Sequence, residues 1–148
     1  MEIRLLKAHQ AVLQAHAEAA YPEECVGALL GQLRDDVVVV SEVRPLDNEW
    51  APLGGDEFDR DRRTRYRVAP SVMLALIREE AETGVALVGF YHSHPDHEAR
   101  PSQTDLLESA IGYIYMIQSV VNGKASVLTA WQVEDVNASF SSVILSIA

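Results

Sequence analysis

Apolar and polar positions alternate along this chain in two periods, and the switches between them outline its elements. Residues 2–5 predict a short strand running into a helix over residues 7–20, where Leu5, Ala8, Val12, Ala15 and Ala19 step by three and four to form one apolar stripe. Pro22 stops that helix, and the apolar run 26–30 predicts a strand. Asp35-Asp36 reads as a polar turn, and the near-continuous valines of 37–43 as a strand buried on both faces. Regularity then breaks over residues 47–65, which contain Pro52, Gly54-Gly55 and the charge-mixed run from Asp59 to Arg65. A loop of that length is usually functional or mobile.

Periodicity resumes with a short strand at 66–68 and a helix opened by Pro70, faced by Leu74, Ile77 and Ala81 and ended by Gly84. Residues 85–91, between Gly84 and Pro95, read as a buried strand. Ser102 opens a further helix packed by Leu106, Leu107, Ala110 and Ile111 and closed by Gly112. Residues 113–121 and 125–133 flank Asn122-Gly123, a strong hairpin signal. Val143, Leu145 and Ile147 alternate in a last strand. The expected fold is α/β, a mixed β-sheet with packed helices, and residues 1–148 are expected to form a single domain.

Composition narrows the class. The chain has 148 residues, 48% of them hydrophobic, enough for one buried core. Twelve basic against 22 acidic residues leave a net charge of −10, which argues against nonspecific nucleic-acid or anionic-membrane binding. One cysteine excludes an internal disulfide framework and a cysteine-rich metal site. No basic-then-apolar leader or bilayer-length apolar run is visible, so a cytoplasmic location is expected.

The chemistry concentrates in Gly89-Phe90-Tyr91-His92-Ser93-His94-Pro95 and the Pro101-Ser102-Gln103-Thr104-Asp105 that follows. Side chains two apart on a strand share a face, so His92 and His94 project side by side. Asp105, one turn into the next helix, can fold back toward them. Two neutral imidazoles and a carboxylate make a three-ligand set with a free fourth position, the arrangement of a catalytic zinc. The same residues admit a plainer account: two hydrogen-bonded histidines, and a helix N-terminus with Ser102 as cap and Asp105 at its third position. His97, just past Pro95, reads as a surface histidine rather than a fourth ligand. His9 and His16, with no acid or cysteine at ligand spacing, read as surface or boundary residues.

His-x-His-Pro, six residues and Ser-x-x-Asp together resemble the signature of the JAMM (MPN+) zinc metallopeptidases, in their compact prokaryotic form. Pro22-Glu23-Glu24-Cys25-Val26-Gly27 resembles that family's distant Pro-x-Glu-x-x-Gly pattern, so the likeness runs from about Tyr21 to Trp131. It implies the JAMM/MPN fold, itself cytidine-deaminase-like, with Zn2+ held by His92, His94 and Asp105. Glu24 would be general base and then general acid, and Ser102 would donate to the oxyanion. Glu23 is left as a solvated neighbour, and Cys25 as a packed side chain rather than a nucleophile. The implied reaction is hydrolysis of a peptide or isopeptide bond after the C-terminal Gly-Gly of a ubiquitin-like or sulfur-carrier protein. The alternative is an MPN-type binding scaffold without turnover. A zinc deaminase would need the Pro-Cys-x-x-Cys pair that this chain lacks.

Overall fold

A computed structural model describes residues 1–51, 62–133 and 139–148. Within the irregular segment expected at 47–65, Pro52, Gly54, Gly55, Asp59, Arg60 and Asp61 lie outside the described residues. Seven strands and three helices follow in the order β1 (Glu2–Leu5), α1 (Lys7–Ala20), β2 (Val26–Arg34), β3 (Val37–Leu46), α2 (Pro70–Thr83), β4 (Ala86–Pro95), α3 (Gln103–Glu108), β5 (Ile114–Val121), β6 (Lys124–Val133) and β7 (Phe140–Ile147) among those residues. The strands lie side by side as β1-β3-β2-β4-β5-β6-β7, and β1 pairs again with β7 to close the sheet into a barrel. Pairs β1–β3, β1–β7 and β4–β5 are parallel and the rest antiparallel, so the sheet is mixed as expected. Asn122 and Gly123 both have positive φ, the backbone that a two-residue hairpin turn requires. Among the described residues no helix is long and apolar enough to cross a membrane.

Two apolar clusters flank the central strands. One gathers Leu13 and Ala17 of α1 with Ile3, Leu5, Leu29, Tyr91, Met116 and Val143. The other gathers Leu76 of α2 with Ala28, Leu30, Leu87, Phe90 and Tyr115. The β2–β4 register shifts between Leu29 and Leu30, which pair with Gly89 and Leu87 and leave Val88 as the extra residue. A bulge of this kind exchanges the faces of the side chains beyond it. From Phe90 onward, Phe90, His92 and His94 therefore point to the α2 side, while Tyr91 joins the α1 cluster.

Five local expectations are corrected. The buried positions of α1 are Leu13 and Ala17, while Ala8, Val12, Ala15 and Ala19 are exposed. That helix is so rich in alanine that several stripes can be drawn on it, and its one leucine decides which is buried. Leu76, with Val72 and Met73, packs α2, whereas Leu74, Ile77 and Ala81 are exposed. Glu79, one turn on from Leu76, takes two hydrogen bonds from Arg44 of β3, which fixes the same orientation. Strand β3 alternates, with Val38, Val40 and Val43 buried and Val39 exposed, so its valines cover one face rather than two. Residues 66–68 form no strand, and α3 ends at Glu108, leaving Leu107 and Ile111 exposed.

Candidate metal centre

The chemically active side chains reach one point from three separate parts of the chain. Strand β4 delivers His92 and His94 on one face. Ser102 caps α3 by accepting from the Asp105 backbone N–H at 3.0 Å, and the Asp105 carboxylate returns to the Ser102 N–H at 2.8 Å. This capping box, readable from Ser-x-x-Asp, is also what turns Asp105 toward the histidines. Glu24 enters from the residue pair before β2, on the same face as Ala28 and Leu30. Its backbone is tied down by Glu24 N–H to Arg62 O at 2.7 Å and by Asn48 Nδ2 to Glu24 O at 3.0 Å.

The resulting separations are short. His92 Nε2 lies 3.2 Å from His94 Nε2 and 3.2 Å from Asp105 Oδ1, and His94 Nε2 lies 3.1 Å from Asp105 Oδ2. Glu24 Oε1 stands further back, 3.9 Å from His94 Nε2. Glu24, His92 and His94 also form a cluster whose ligand atoms lie within 4.8 Å of one another. All four residues are buried, with exposures of 1% for His92, 8% for His94 and 5% for Glu24 and Asp105, so their charges need partners inside the protein.

His94 Nδ1 is 2.7 Å from the Glu98 carbonyl, which can only accept. The Nδ1 nitrogen therefore carries the hydrogen, and a neutral His94 turns its Nε2 lone pair toward Asp105 and His92. A lone pair facing a carboxylate at 3.1 Å calls for a cation between them. A tetrahedral zinc with bonds of about 2.0–2.1 Å sets its ligand atoms roughly 3.3 Å apart, close to the separations of the two imidazole nitrogens from each other and from one Asp105 oxygen each. The donor set fits zinc, and Asp105 lies nearer to His94 Nε2 than Glu24 does. Glu24 Oε2 and His92 Nδ1 are buried without a hydrogen-bond partner among the described residues.

Electrostatics separate the two carboxyls. Burial pushes Glu24 up to about 9, helped by the charge of Asp105 and opposed by Arg65. Burial also raises Asp105, but the His92 and His94 rings beside it and the Ser102 N–H outweigh it and hold that group well below the usual carboxylate range. Burial lowers His92, partly offset by Asp105. Cys25 is pushed up to about 11 by burial, which leaves it a thiol, as its reading as a packed side chain requires.

Around the centre is a cleft of about 330 Å3 lined by Glu24, Arg63, Arg65, His94, Arg100 and Ser102, among others. His97 is exposed on its rim, in line with a surface histidine. Two residues escaped the sequence reading. Tyr66 stacks on the His92 ring with centroids 4.5 Å apart, a contact between irregular chain and strand that no periodicity encodes. Asn48 makes four hydrogen bonds, from Nδ2 to the Glu24 and Arg65 carbonyls and to Oδ1 from the Trp50 and Arg67 N–H groups. His16, read as a surface or boundary residue, is half-buried and bonds the Tyr91 hydroxyl at 2.7 Å.

Comparison with known proteins bears on the same residues. The family described as prokaryotic homologs of the JAB domain matches residues 6–134. A desampylase of Haloferax volcanii is 31% identical over 99 residues, 66% of this chain and 63% of the relative. The chain thus spans a little under two thirds of that relative's length. A solution structure of a protein from Desulfitobacterium hafniense superposes with a TM-score of 0.79 at 26% identity, covering 99% of this chain and 92% of the other. A solution structure from Salinibacter ruber gives 0.67 at 29% identity over 100% of this chain and 92% of the other. A JAB1/MPN domain protein of Archaeoglobus fulgidus gives 0.53 at 19% identity over 99% of each chain, which speaks for the fold alone.

Proposed function

Since the chain belongs to the prokaryotic homologues of the JAB domain, we propose that it is a zinc-dependent isopeptidase acting on the C-terminal tail of a ubiquitin-like protein. The observation that carries this reading is the convergence of two imidazoles and one carboxylate at 3.1–3.2 Å, with a second, proton-holding carboxyl beside them. The desampylase relative supports a ubiquitin-like partner. In this reading His92, His94 and Asp105 hold the metal and Glu24 stays free for proton transfer.

Bound zinc would supply Lewis acidity, which polarises a carbonyl and makes hydroxide available near neutral pH. The rest belongs to the chain. Glu24, desolvated and beside Asp105, holds its proton far above the ordinary carboxylate range, and it would titrate nearer the working pH once His92, His94 and Asp105 held a cation beside it. A carboxyl that titrates near the working pH can take a proton from the attacking water and return it to the leaving amine. Ser102 uses its oxygen to accept from Asp105 N–H, so its hydroxyl hydrogen is available to a developing oxyanion. The capping and catalytic roles are thus compatible in one side chain. The half-buried ring of Tyr66 stacks on His92 and shields that face of the imidazole from water.

Within this class, a tail ending in Gly-Gly suits the narrow cleft, because backbone without side chains can approach its floor. A sulfur-carrier protein is one such substrate and a ubiquitin-like modifier another. The test incubates the zinc-loaded protein with ubiquitin-like carriers bearing either a C-terminal extension or an isopeptide-linked lysine peptide. Cleavage after Gly-Gly that stops with a chelator and with Glu24→Gln is expected. Absence of cleavage by demonstrably zinc-loaded protein would leave the binding-scaffold reading instead.

A further inference from the structure

The metal-facing side of the sheet carries three side chains that the proposed chemistry leaves unused: Ser119 on β5, and Thr129 and Trp131 on β6. Strand register sets them beside the histidines. His94 pairs with Ser119 across β4–β5, His92 pairs with Ile117, and Ile117 pairs with Thr129 across β5–β6. All of these positions belong to the face that carries Phe90 and Tyr115.

These side chains act on the segment between β4 and α3, where three successive backbone carbonyls each receive one hydrogen bond from the sheet. Ser119 Oγ donates to His97 O at 2.7 Å, His94 Nδ1 to Glu98 O at 2.7 Å, and Thr129 Oγ1 to Ala99 O at 2.7 Å. Trp131 Nε1 lies 2.7 Å from Thr129 Oγ1. An indole nitrogen only donates, so the threonine oxygen accepts there and its single hydrogen is committed to Ala99. The start of the segment is held as well, by Asp96 N–H to Val120 O at 2.7 Å and by the Asp96 carboxylate, which accepts from Tyr21 and from Asn122 N–H.

Ala99 is buried and its carbonyl needs a partner, whereas His97 and Glu98 are exposed residues whose carbonyls could bond to water instead. Here the middle carbonyl of the three is the acceptor that determines which nitrogen of His94 bears its hydrogen. Its two neighbours are fastened to adjacent strands by hydroxyl groups. The Glu98 side chain contributes nothing to this, being 84% exposed. We propose that Thr129 and Ser119 are positioning residues for the metal, clamping the Ala99 and His97 carbonyls so that Glu98 O holds His94 with Nδ1 protonated and Nε2 presented. Trp131 orients the Thr129 hydroxyl. The inference rests on His94 being a metal ligand.

The test is a pair of near-isosteric variants. Thr129→Val keeps the shape and loses the hydroxyl, and Thr129→Ser keeps the hydroxyl. Zinc affinity is measured on chelator-stripped protein by competition with a chromogenic chelator. Thr129→Val is expected to weaken zinc by about 10–100-fold, the usual effect of losing a group that orients a metal-bound histidine. Thr129→Ser should bind as the wild type does. In metal-free protein labelled with nitrogen-15 histidine, the His94 signals should report the Nδ1–H form in the wild type and Thr129→Ser, and a mixture of tautomers in Thr129→Val. Ser119→Ala should move both readouts the same way, and it decides the matter if Thr129→Val fails to fold. Wild-type affinity and tautomer in folded Thr129→Val, or in folded Ser119→Ala where Thr129→Val does not fold, would overturn the clamp. His94→Ala separates the two levels: if it loses zinc while the hydroxyl variants keep it, only the clamp fails. If it too binds zinc like the wild type, the ligand assignment fails with it.

Discussion

Glu24 and Asp105 are both buried carboxyls within reach of His94, yet their environments drive them in opposite directions. Asp105 accepts from the Ser102 N–H, lies beside the His92 and His94 rings and stays ionised. Glu24 has one oxygen without a hydrogen-bond partner among the described residues and is pushed up to about 9. Between its ordinary value near 4.5 and about 9, the folded chain holds a proton that the unfolded chain has released. Metal-free protein therefore loses stability as pH rises through that window. Glu24→Gln removes the titration, so chelated Glu24→Gln should melt above chelated wild type at pH 8. The expected gain grows by about 1.4 kcal/mol, or about 3–6 °C for a chain of this size, with each pH unit above 4.5, and it should shrink toward zero at pH 5. Thermal melts of both proteins at the two pH values check this, and an equal difference at both would show that Glu24 is not titrating there. At this scale the sequence was highly legible. His92, His94, Ser102, Asp105 and Glu24 all converge because each sits at a position whose direction local geometry sets: alternate strand residues, a helix cap, and the residue before a strand. Tyr66 and Asn48 were not legible, since their contacts join irregular chain to distant elements.

Elements were less legible than their residues. Their order and most of their ends followed from Pro22, Gly84, Pro95, Ser102 and Asn122-Gly123, which act locally. Which face each helix buries did not follow, because helices α1 and α2 carry apolar residues all round. On α2 the choice falls to Leu76 in the core and to the Arg44–Glu79 pair, neither of which periodicity can rank above Leu74 and Ile77. The bulge at Val88 was likewise invisible in an unbroken apolar run, although it decides that the histidines face α2 rather than α1. Leu76→Ala should cost about 2–4 kcal/mol, as for a buried leucine, and Leu74→Ala less than about 0.5 kcal/mol. Urea denaturation of the two variants measures the difference, and equal losses would mean that the helix presents another face.

For the molecule as a whole, a chain of net charge −10 places Arg63, Arg65 and Arg100 around the cleft lined by the buried Glu24 and His94. The mixed sheet was expected from the strand pattern, but its closure was not. Closure depends on β1 lying parallel between β3 and β7, a pairing of the two ends of the chain that no local signal encodes. The barrel brings β4, β5 and β6 into the register that sets His92 and His94 beside the hydroxyls fastening the segment between β4 and α3. The central claim is that one metal ion is gripped by His92, His94 and Asp105, while Glu24 moves protons without gripping it. Elemental analysis of purified wild type, Asp105→Asn and Glu24→Gln, side by side after equal zinc loading, tests this most directly. About one zinc per chain in wild type and Glu24→Gln, with little in Asp105→Asn, is the predicted result. Full zinc in Asp105→Asn, or loss of zinc in Glu24→Gln, would contradict it.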